Sequence, residues 1–215
     1  MNDTRKRRPT LQDIADLTGV TKMTVSRYLR DPSAVAEGTR ERIAAAVEEL
    51  GYIPNRAPDM LSNATSKAIG ILIPSLSNQV FSAVIHGIEA VTRPAGYQTL
   101  LAHYGYSPER EEEQVASLLS YNVDGLILSD TQHTERTRKM IATAGIPVVE
   151  TMDLPLSPID MVVGMDHRAA ARAMVTEMLR RGRRKVVYLG ARLDVRTQLR
   201  MEGYYQAMAD FSLTG

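Results

Sequence analysis

From Ile69 onwards, short apolar segments alternate with longer amphipathic ones, and this alternation restricts the possible folds most strongly. The run Ile69–Ile73 is entirely apolar apart from one glycine, and a segment with helical periodicity follows from about Gln79 to Arg93. Further strands are predicted at 97–102, 123–128, 146–150, 161–163 and 185–189. Strands that alternate with helices predict an α/β domain with a parallel sheet covered on both faces.

The first fifty residues instead have the pattern of three short helices. Thr10 and Asp13 have the spacing of a helix cap and its acidic partner, and apolar residues follow at helical intervals up to a break at Gly19. Thr21 can cap a second helix, and a third is predicted over 37–50. Two short helices joined by a tight turn match the helix-turn-helix motif, whose second helix enters the major groove of DNA.

The charge distribution agrees with a DNA-binding module at this end of the chain. Residues 1–30 contain seven Lys or Arg residues and three Asp residues, whereas the whole chain has 26 basic and 25 acidic residues. A basic segment attached to a near-neutral remainder predicts that the segment binds a polyanion. A small helical protein-docking domain with a solvated basic face is the alternative.

Polar and apolar positions of the second helix separate onto different faces. Lys22 at its start can donate to guanine acceptors, and Met23 can contact a thymine methyl group. Thr24 and Ser26 suit phosphate oxygens, which position a helix without distinguishing bases. The predicted DNA-contacting residues of this region are Thr10, Thr21, Lys22, Met23, Thr24, Ser26 and Arg27.

Several classes of protein are excluded by composition and motif. The chain has no Cys, which rules out disulfide frameworks and Cys-ligated zinc. Its four His residues lack a zinc-binding spacing, and no GxSxG, P-loop or GxGxxG motif occurs. No apolar run approaches the roughly 18–20 residues that span a bilayer, and no signal-peptide region follows the basic start. We therefore predict a cytoplasmic protein that is not an enzyme, needs no cofactor or metal and does not act at a membrane.

The ends of the predicted strands supply candidate ligand-binding residues, because open α/β sheets bind small molecules beyond the carboxyl ends of their strands. Ser75 and Asn78 follow the first strand, with Phe81 one helical turn further on as a stacking surface. Glu150 and Asp153 lie at the end of the fourth strand and could hold sugar hydroxyls. The structural alternatives are helix capping for Ser75 and Asn78, core packing for Phe81 and a turn for Asp153.

Two runs of like charge are interpreted as structural features. The run Glu111-Glu112-Glu113 is predicted to be an ordinary solvated helix face. The basic run 180–185 straddles a predicted helix C-terminus, where cations complement the helix dipole.

The motifs of the N-terminal helical region resemble those of the lactose/galactose repressor (LacI/GalR) family. The resemblance rests on Leu11-Gln12-Asp13-Ile14-Ala15, Gly19-Val20-Thr21, Thr24-Val25-Ser26-Arg27-Tyr28-Leu29 and Gly51-Tyr52-Ile53-Pro54-Asn55. The run 57–64 is similar to the gluconate-utilisation repressors of that family. The resemblance implies a bacterial, nucleoid-associated transcriptional repressor that binds double-stranded operator DNA as a homodimer and responds to a small-molecule effector.

The resemblance also implies further DNA-contacting residues. It adds Tyr52, Asn55 and Arg56, and it implies a hinge helix over 56–63 in which Leu61 wedges between base steps of the minor groove. Packing of Leu61 against the rest of the protein is the alternative. One departure from the family is Ala36, which stands where a Ser or Thr usually caps the third helix.

For the effector, the resemblance implies a role for Arg200, which matches the position of an effector-clamping arginine. A guanidinium suits a carboxylate through paired hydrogen bonds, which agrees with a sugar acid such as gluconate. A solvated arginine on an exposed helix face is the alternative.

The expected organisation is an all-α helix-turn-helix domain over 1–55, a hinge helix and linker over 56–68, and an α/β body like that of periplasmic binding proteins. The first lobe of the body is expected over 69–157 and the start of a second lobe over 158–215. A lobe with a single strand and helix cannot close a core, so the sequence predicts a truncated, non-inducible regulator. A sugar-binding module without regulatory activity is the alternative, and the basic head argues against it.

Overall fold

The computed structural model of the chain describes residues 7–55 and 65–213. Its internal contacts divide the chain into two units, residues 1–63 and residues 64–215, which we call the head and the body. Within the described residues, no helix has the length and apolar character that crossing a membrane requires. The predicted hinge helix, including Arg56 and Leu61, lies outside the described residues.

Helices α1 (Leu11–Thr18), α2 (Lys22–Arg30) and α3 (Glu37–Leu50) form the described part of the head. A 3₁₀ turn at Pro32–Ala34 precedes α3. Gly19 ends α1 with a φ of 68°, a conformation that glycine adopts without steric cost. The three helices share one core, whose buried members are Ile14, Ala15, Val25, Ile43 and Ala46. The predicted helix-turn-helix is confirmed.

The body contains one sheet of parallel strands in the order β2-β1-β3-β4-β5. The strands are β1 (Ala68–Ile73), β2 (Gln98–His103), β3 (Gly125–Leu128), β4 (Val148–Met152) and β5 (Met161–Gly164). The helices are α4 (Gln79–Thr92), α5 (Pro108–Ser120), α6 (Glu135–Ala144), α7 (His167–Arg180) and α8 (Val195–Asp210). The α/β fold class is thereby confirmed.

Alternate residues of β1 enter two different cores, because successive side chains of a strand point to opposite faces of the sheet. Leu72 packs on one face in a cluster that includes Val115 of α5 and Ile141 of α6. Ile71 and Ile73 pack on the other face with Phe81 of α4. Both faces of the sheet are covered, as the apolar character of β1 predicts.

The segment 185–189, which was predicted as a strand, is not one. Val186 and Tyr188 pack against α7 and α8, whereas the side chains of Val187 and Leu189 are exposed. The alternation of buried and exposed side chains is therefore present, but the described part of the body places no strand beside it to share hydrogen bonds. The domain boundary at residue 158 stays a prediction; β5, which lies beyond it, is the edge strand of the same sheet.

Candidate functional site

The face of α2 that points away from the core of the head carries the predicted base-contacting side chains. Lys22, Met23 and Arg27 are exposed, and the exposed fraction of Met23 is 70%. Ser26 is half-buried, and Val25 is fully buried against α1 and α3. An exposed methionine beside two cations is unusual for a solvated helix face and suits contact with base edges.

The cations of α2 are not engaged within the described protein. Lys22, Arg27 and Arg30 form no ion pair with any other described residue. Their charges are therefore available to phosphate groups, which supply most of the salt-dependent affinity of a protein for DNA.

Three threonines of the predicted DNA-contacting set hold the ends of the head helices. The side-chain oxygen of Thr10 accepts the Asp13 backbone N–H, and the Asp13 carboxylate accepts the Thr10 backbone N–H at 2.7 Å. Hydrogen bonds from Thr10 and the charge of Arg7 hold the pKa of Asp13 below its ordinary value. The Thr24 backbone N–H donates to Thr21 Oγ1 at 3.2 Å. These contacts fix the N-termini of α1 and α2, where backbone N–H groups are placed to bind phosphate oxygens.

Two residues at the end of the head have different surroundings. Tyr52 is half-buried and packs against the core of the head, and its backbone N–H donates to Val47 at 3.0 Å. Asn55 is exposed at the last described position of the head. Their roles in DNA contact stay predictions, as do those of Thr10 and Thr21.

The body has a cavity of about 380 Å³ beyond the carboxyl ends of β2, β3 and β4. This is the edge of an open parallel sheet where ligands bind. The residues that line it come from the loops after these strands, from the start of α5, and from the segment that leads into α8 together with the start of α8. They include Tyr104, Tyr106, Glu111, Asp130, Gln132, Asp153, Arg192, Asp194, Arg196 and Gln198.

Arg196 and Asp153 form an ion pair in this cavity. Arg196 Nε donates to Asp153 Oδ2 at 2.8 Å, and its terminal nitrogen donates to the carbonyl oxygen of Ser129. Both side chains are largely buried, with exposed fractions of 15% and 7%. An arginine and an aspartate side by side can bind a carboxylate and a hydroxyl of one ligand, respectively.

Arg200, which the resemblance implied as the effector clamp, does not line the cavity. Its Nε donates to His167 Nδ1 at 3.1 Å, and His167 Nε2 lies 2.9 Å from Asp153 Oδ1. Because Nδ1 accepts this hydrogen bond, Nε2 is the donor to the Met152 carbonyl at 3.1 Å, and Asp153 Oδ1 has no hydrogen-bond partner among the described residues. Arg200 therefore acts on the cavity through His167 in this conformation, while Arg196 reaches it directly.

Aromatic side chains form the wall opposite α8. The guanidinium of Arg192 lies 3.5 Å from the ring centroid of Tyr106. The Tyr104 hydroxyl donates to Asp130 at 2.9 Å, and burial together with the Asp130 charge strongly raises the pKa of Tyr104. Tyr104 therefore stays a hydrogen-bond donor, and the wall combines ring faces with a fixed carboxylate.

Ser75, Asn78 and Phe81, which were also predicted to bind the effector, do not line the cavity. The Val80 backbone N–H donates to Asn78, which caps α4, and the Ser75 hydroxyl contacts that of Ser77. Phe81 is 2% exposed and packs with Ile71 in the core, so the structure places it as a core residue and not as a stacking surface.

Glu150 is also absent from the cavity wall, and its side chain is completely buried. It accepts the Ile159 backbone N–H at 2.6 Å and lies 3.4 Å from His133 Nε2. On the other side of His133, Nδ1 is 2.8 Å from Glu111. The prediction that Glu111 lies on a solvated face is wrong, because this interaction and the packing of α5 bury it.

Arg196, Glu111 and His133 were not among the predicted site residues. Arg196 lies one helical turn before Arg200, so the spacing of the two arginines places both on one face of α8. Glu111 lies one and two helical turns before the buried Val115 and Leu118, and this spacing is the signal that could have placed it on the buried face of α5.

The chain joins a three-helix head that contains a helix-turn-helix to an open parallel α/β body with a cavity at the carboxyl ends of its strands. This combination defines a class of two-domain proteins. The family of bacterial regulatory proteins, lacI family, matches residues 10–55. A second family, described as periplasmic binding proteins and sugar binding domain of LacI family, matches residues 66–214. The chain belongs to the LacI family.

Similar proteins of known class are transcriptional regulators. The chain is 61% identical over 97% of its length to the HTH-type transcriptional regulator GntR of Escherichia coli K12, of which it spans 63%. It is 56% identical over 95% of its length to the regulator IdnR of the same strain, of which it spans 62%.

Solved structures of the family share the fold. A LacI-family regulator from Silicibacter pomeroyi is 38% identical, with a TM-score of 0.86 over 95% of this chain and 62% of that one. The lac repressor dimer bound to operator and the anti-inducer ONPF is 26% identical, with a TM-score of 0.82 over 97% of this chain and 64% of that one.

Proposed function

We propose that the chain acts in a sequence-specific transcriptional repressor of sugar-acid catabolism, with a gluconate-type effector. The observation that carries the proposal is the exposed cationic face of α2, which forms no ion pair with the rest of the described chain and has Lys22 and Met23 at its start. These side chains have the chemistry that distinguishes base pairs in the major groove. The similarity to regulators named GntR and IdnR supports the same function.

The effector is assigned to the cavity of the body. Arg196 and Arg192 supply two guanidinium groups for a carboxylate, and Asp153 and Asp130 supply acceptors for hydroxyl groups. A polyhydroxylated monocarboxylate satisfies both sets of side chains, whereas a neutral sugar brings no anion to Arg192, which forms no ion pair with any other described residue.

A homodimer on a two-fold symmetric operator, with paired hinge helices that insert Leu61, completes the proposal. A solved relative, the lac repressor, is a dimer on its operator. Two heads placed by such a dimer would contact two half-sites of opposite orientation. We place this complex in the cytoplasm, on the bacterial nucleoid.

Selection of duplexes from a randomised DNA library by the purified chain tests the proposal for the head. We expect recovery of related half-sites, and Lys22→Ala should change the preferred bases. The exposed lysine of α6 provides the control, because Lys139→Ala should leave the selected sequence unchanged. Binding of all sequences with equal affinity by the parent chain would contradict the proposal.

Calorimetric titration with gluconate tests the proposal for the body. Loss of a charge-assisted hydrogen bond costs about 1.5–3 kcal/mol, so Arg196→Gln should lower the affinity for gluconate by about ten- to a hundredfold. Arg200→Gln, one turn further along α8, should have a smaller effect because Arg200 contacts His167. Equal losses in both variants would contradict the assignment to Arg196.

A further inference from the structure

Three ionisable side chains are buried together next to the cavity. His133 lies between Glu111 of α5 and Glu150 of β4, with its Nδ1 2.8 Å from Glu111 Oε1 and its Nε2 3.4 Å from Glu150 Oε1. The exposed fractions of the three side chains are 0% for His133, 2% for Glu111 and 0% for Glu150. We call these residues the buried triad.

The triad carries more negative than positive charge. Burial lowers the pKa of His133, but the hydrogen bond to Glu111 and the charges of Glu111, Glu150 and Asp130 outweigh burial and raise it above its ordinary value. An imidazolium with two N–H groups can serve both carboxylates, which only accept hydrogen bonds. One positive charge then faces two carboxylates.

The hydrogen bonds of the triad are incomplete. Glu111 Oε2, Glu150 Oε1 and His133 Nε2 are buried without a hydrogen-bond partner among the described residues. Glu150 Oε1 faces His133 Nε2 at 3.4 Å, so a protonated Nε2 can serve it, and Glu111 Oε2 is the oxygen that is left without a donor. The other carboxylate oxygen of Glu150, Oε2, accepts a hydrogen bond from the Ile159 backbone N–H. Leaving a buried carboxylate oxygen without a donor costs free energy, and the cost falls when a donor arrives.

Glu111 is the member of the triad that lines the cavity, beside Tyr104 and Asp130. Glu111 therefore brings the buried triad to the edge of the space that the ligand would occupy. The described residues contain no group of three His, Asp or Glu side chains placed to hold a metal ion. A ligand hydroxyl is a donor that fits a cavity already provided with guanidinium groups.

We propose that Glu111 is a specificity-determining residue that accepts a hydrogen bond from one hydroxyl group of the sugar acid, and that His133 and Glu150 are positioning residues that hold it. This inference rests on the proposed function of the cavity. It explains why an acidic side chain on α5 is buried at a considerable desolvation cost, where an apolar residue would pack more favourably.

Calorimetry with gluconate and with deoxygluconates that each lack one hydroxyl group tests the proposal. The parent chain should bind one deoxygluconate at least about tenfold more weakly than gluconate, because a buried acceptor loses its donor. Glu111→Gln should bind gluconate about tenfold more weakly than the parent and should discriminate less against that same deoxygluconate. Glu113→Gln, an exposed residue of the same helix, should behave as the parent.

His133→Gln separates positioning from a merely structural role. It should reduce the discrimination against the same deoxygluconate, whereas a purely structural loss would weaken the binding of every ligand by the same factor. Unchanged discrimination in Glu111→Gln or in His133→Gln would overturn the proposal.

The outcomes also separate this inference from the proposed function. If the parent binds gluconate but prefers no single hydroxyl group, only the inference fails, and this comparison needs no variant to fold. If the parent binds neither gluconate nor any deoxygluconate, the assignment of the cavity fails together with the inference.

Discussion

The head and the body both carry a candidate site, but the two sites are built from different ranges of the sequence. The side chains of the head that are predicted to contact base edges, Lys22 and Met23, come from one helix of nine residues, α2. The cavity of the body combines residues from the ends of three strands with residues from α8, so its members are separated by as many as ninety-four positions between Tyr104 and Gln198. The first site depends on local helix geometry, whereas the second depends on the register of the whole sheet.

This difference has a consequence for the effect of substitutions. A change on the exposed face of α2 should remove a proposed contact to DNA and leave the head folded, because Val25 and not Lys22 holds α2 in the core. A change in the buried triad alters both the cavity and the packing between α5, β4 and the loop before α6. Substitutions can therefore be chosen that should affect the head and not the body, or the body and not the head.

The largest expected effect is on the body. His133→Ala leaves two buried carboxylates without their cation, and such losses cost about 3–5 kcal/mol. Amide hydrogen exchange should show this loss in β3 and β4, with unchanged protection in α2. His86→Ala, at an exposed position of α4, is the control and should alter neither region. A loss below about 1 kcal/mol in β4 would show that the triad does not stabilise the body.

The next effect concerns DNA recognition by the head. Lys22→Ala should cost about 1–3 kcal/mol at one base pair of the operator and leave other positions unaffected. Arg8→Ala should instead weaken binding to all sequences and reduce the slope of affinity against salt concentration by about one. Competition assays with single-base operator variants measure both effects. A uniform loss in Lys22→Ala would show that this side chain contacts only the DNA backbone.

A smaller effect is expected at the start of α3. Ala36 occupies the N-cap position and makes no side-chain hydrogen bond there. Ala36→Ser should stabilise the head by about 1 kcal/mol, because the hydroxyl can accept an unpaired backbone N–H. Ala45→Ser, inside the same helix, should destabilise it by a few tenths of a kcal/mol. Hydrogen exchange in α3 measures both changes, and equal effects would argue against capping.

The stability of the body should also change gradually with pH. Because the folded-state pKa of His133 is raised, its contribution is fully present below the ordinary value of 6.5 and is lost as the pH rises through the folded-state value. Urea denaturation between pH 6 and 9, with amide hydrogen exchange in β4 as the readout, should show that the free energy of unfolding of the body falls as the pH rises. His133→Gln should flatten this profile, and a profile as steep as that of the parent would assign the titration to another group.

The sequence predicted the head better than the cavity. Thr10, Gly19 and Thr21 mark helix ends through local capping, and the structure uses all three in that way. The alternation of strands and helices also predicted the parallel sheet. The segment 185–189 was misassigned because its alternation indicates which side chains are buried and does not indicate whether a neighbouring strand exists.

The cavity could be predicted only in part because its contacts join distant positions. Asp153 was found from its place after a strand, and it lines the cavity. Phe81 also follows a strand closely, but the rotation of α4 points it into the core. Glu111 and His133 are 22 positions apart, and no local pattern indicates that they meet.

Hydrogen exchange of the purified chain with each ligand alone tests most directly the claim that the two regions carry different sites. We expect operator DNA to protect residues 22–30, and gluconate to protect the cavity segments around 104–111, 130–133 and 192–198. Gluconate that leaves all three cavity segments unchanged, or operator DNA that leaves α2 unchanged, would contradict the account.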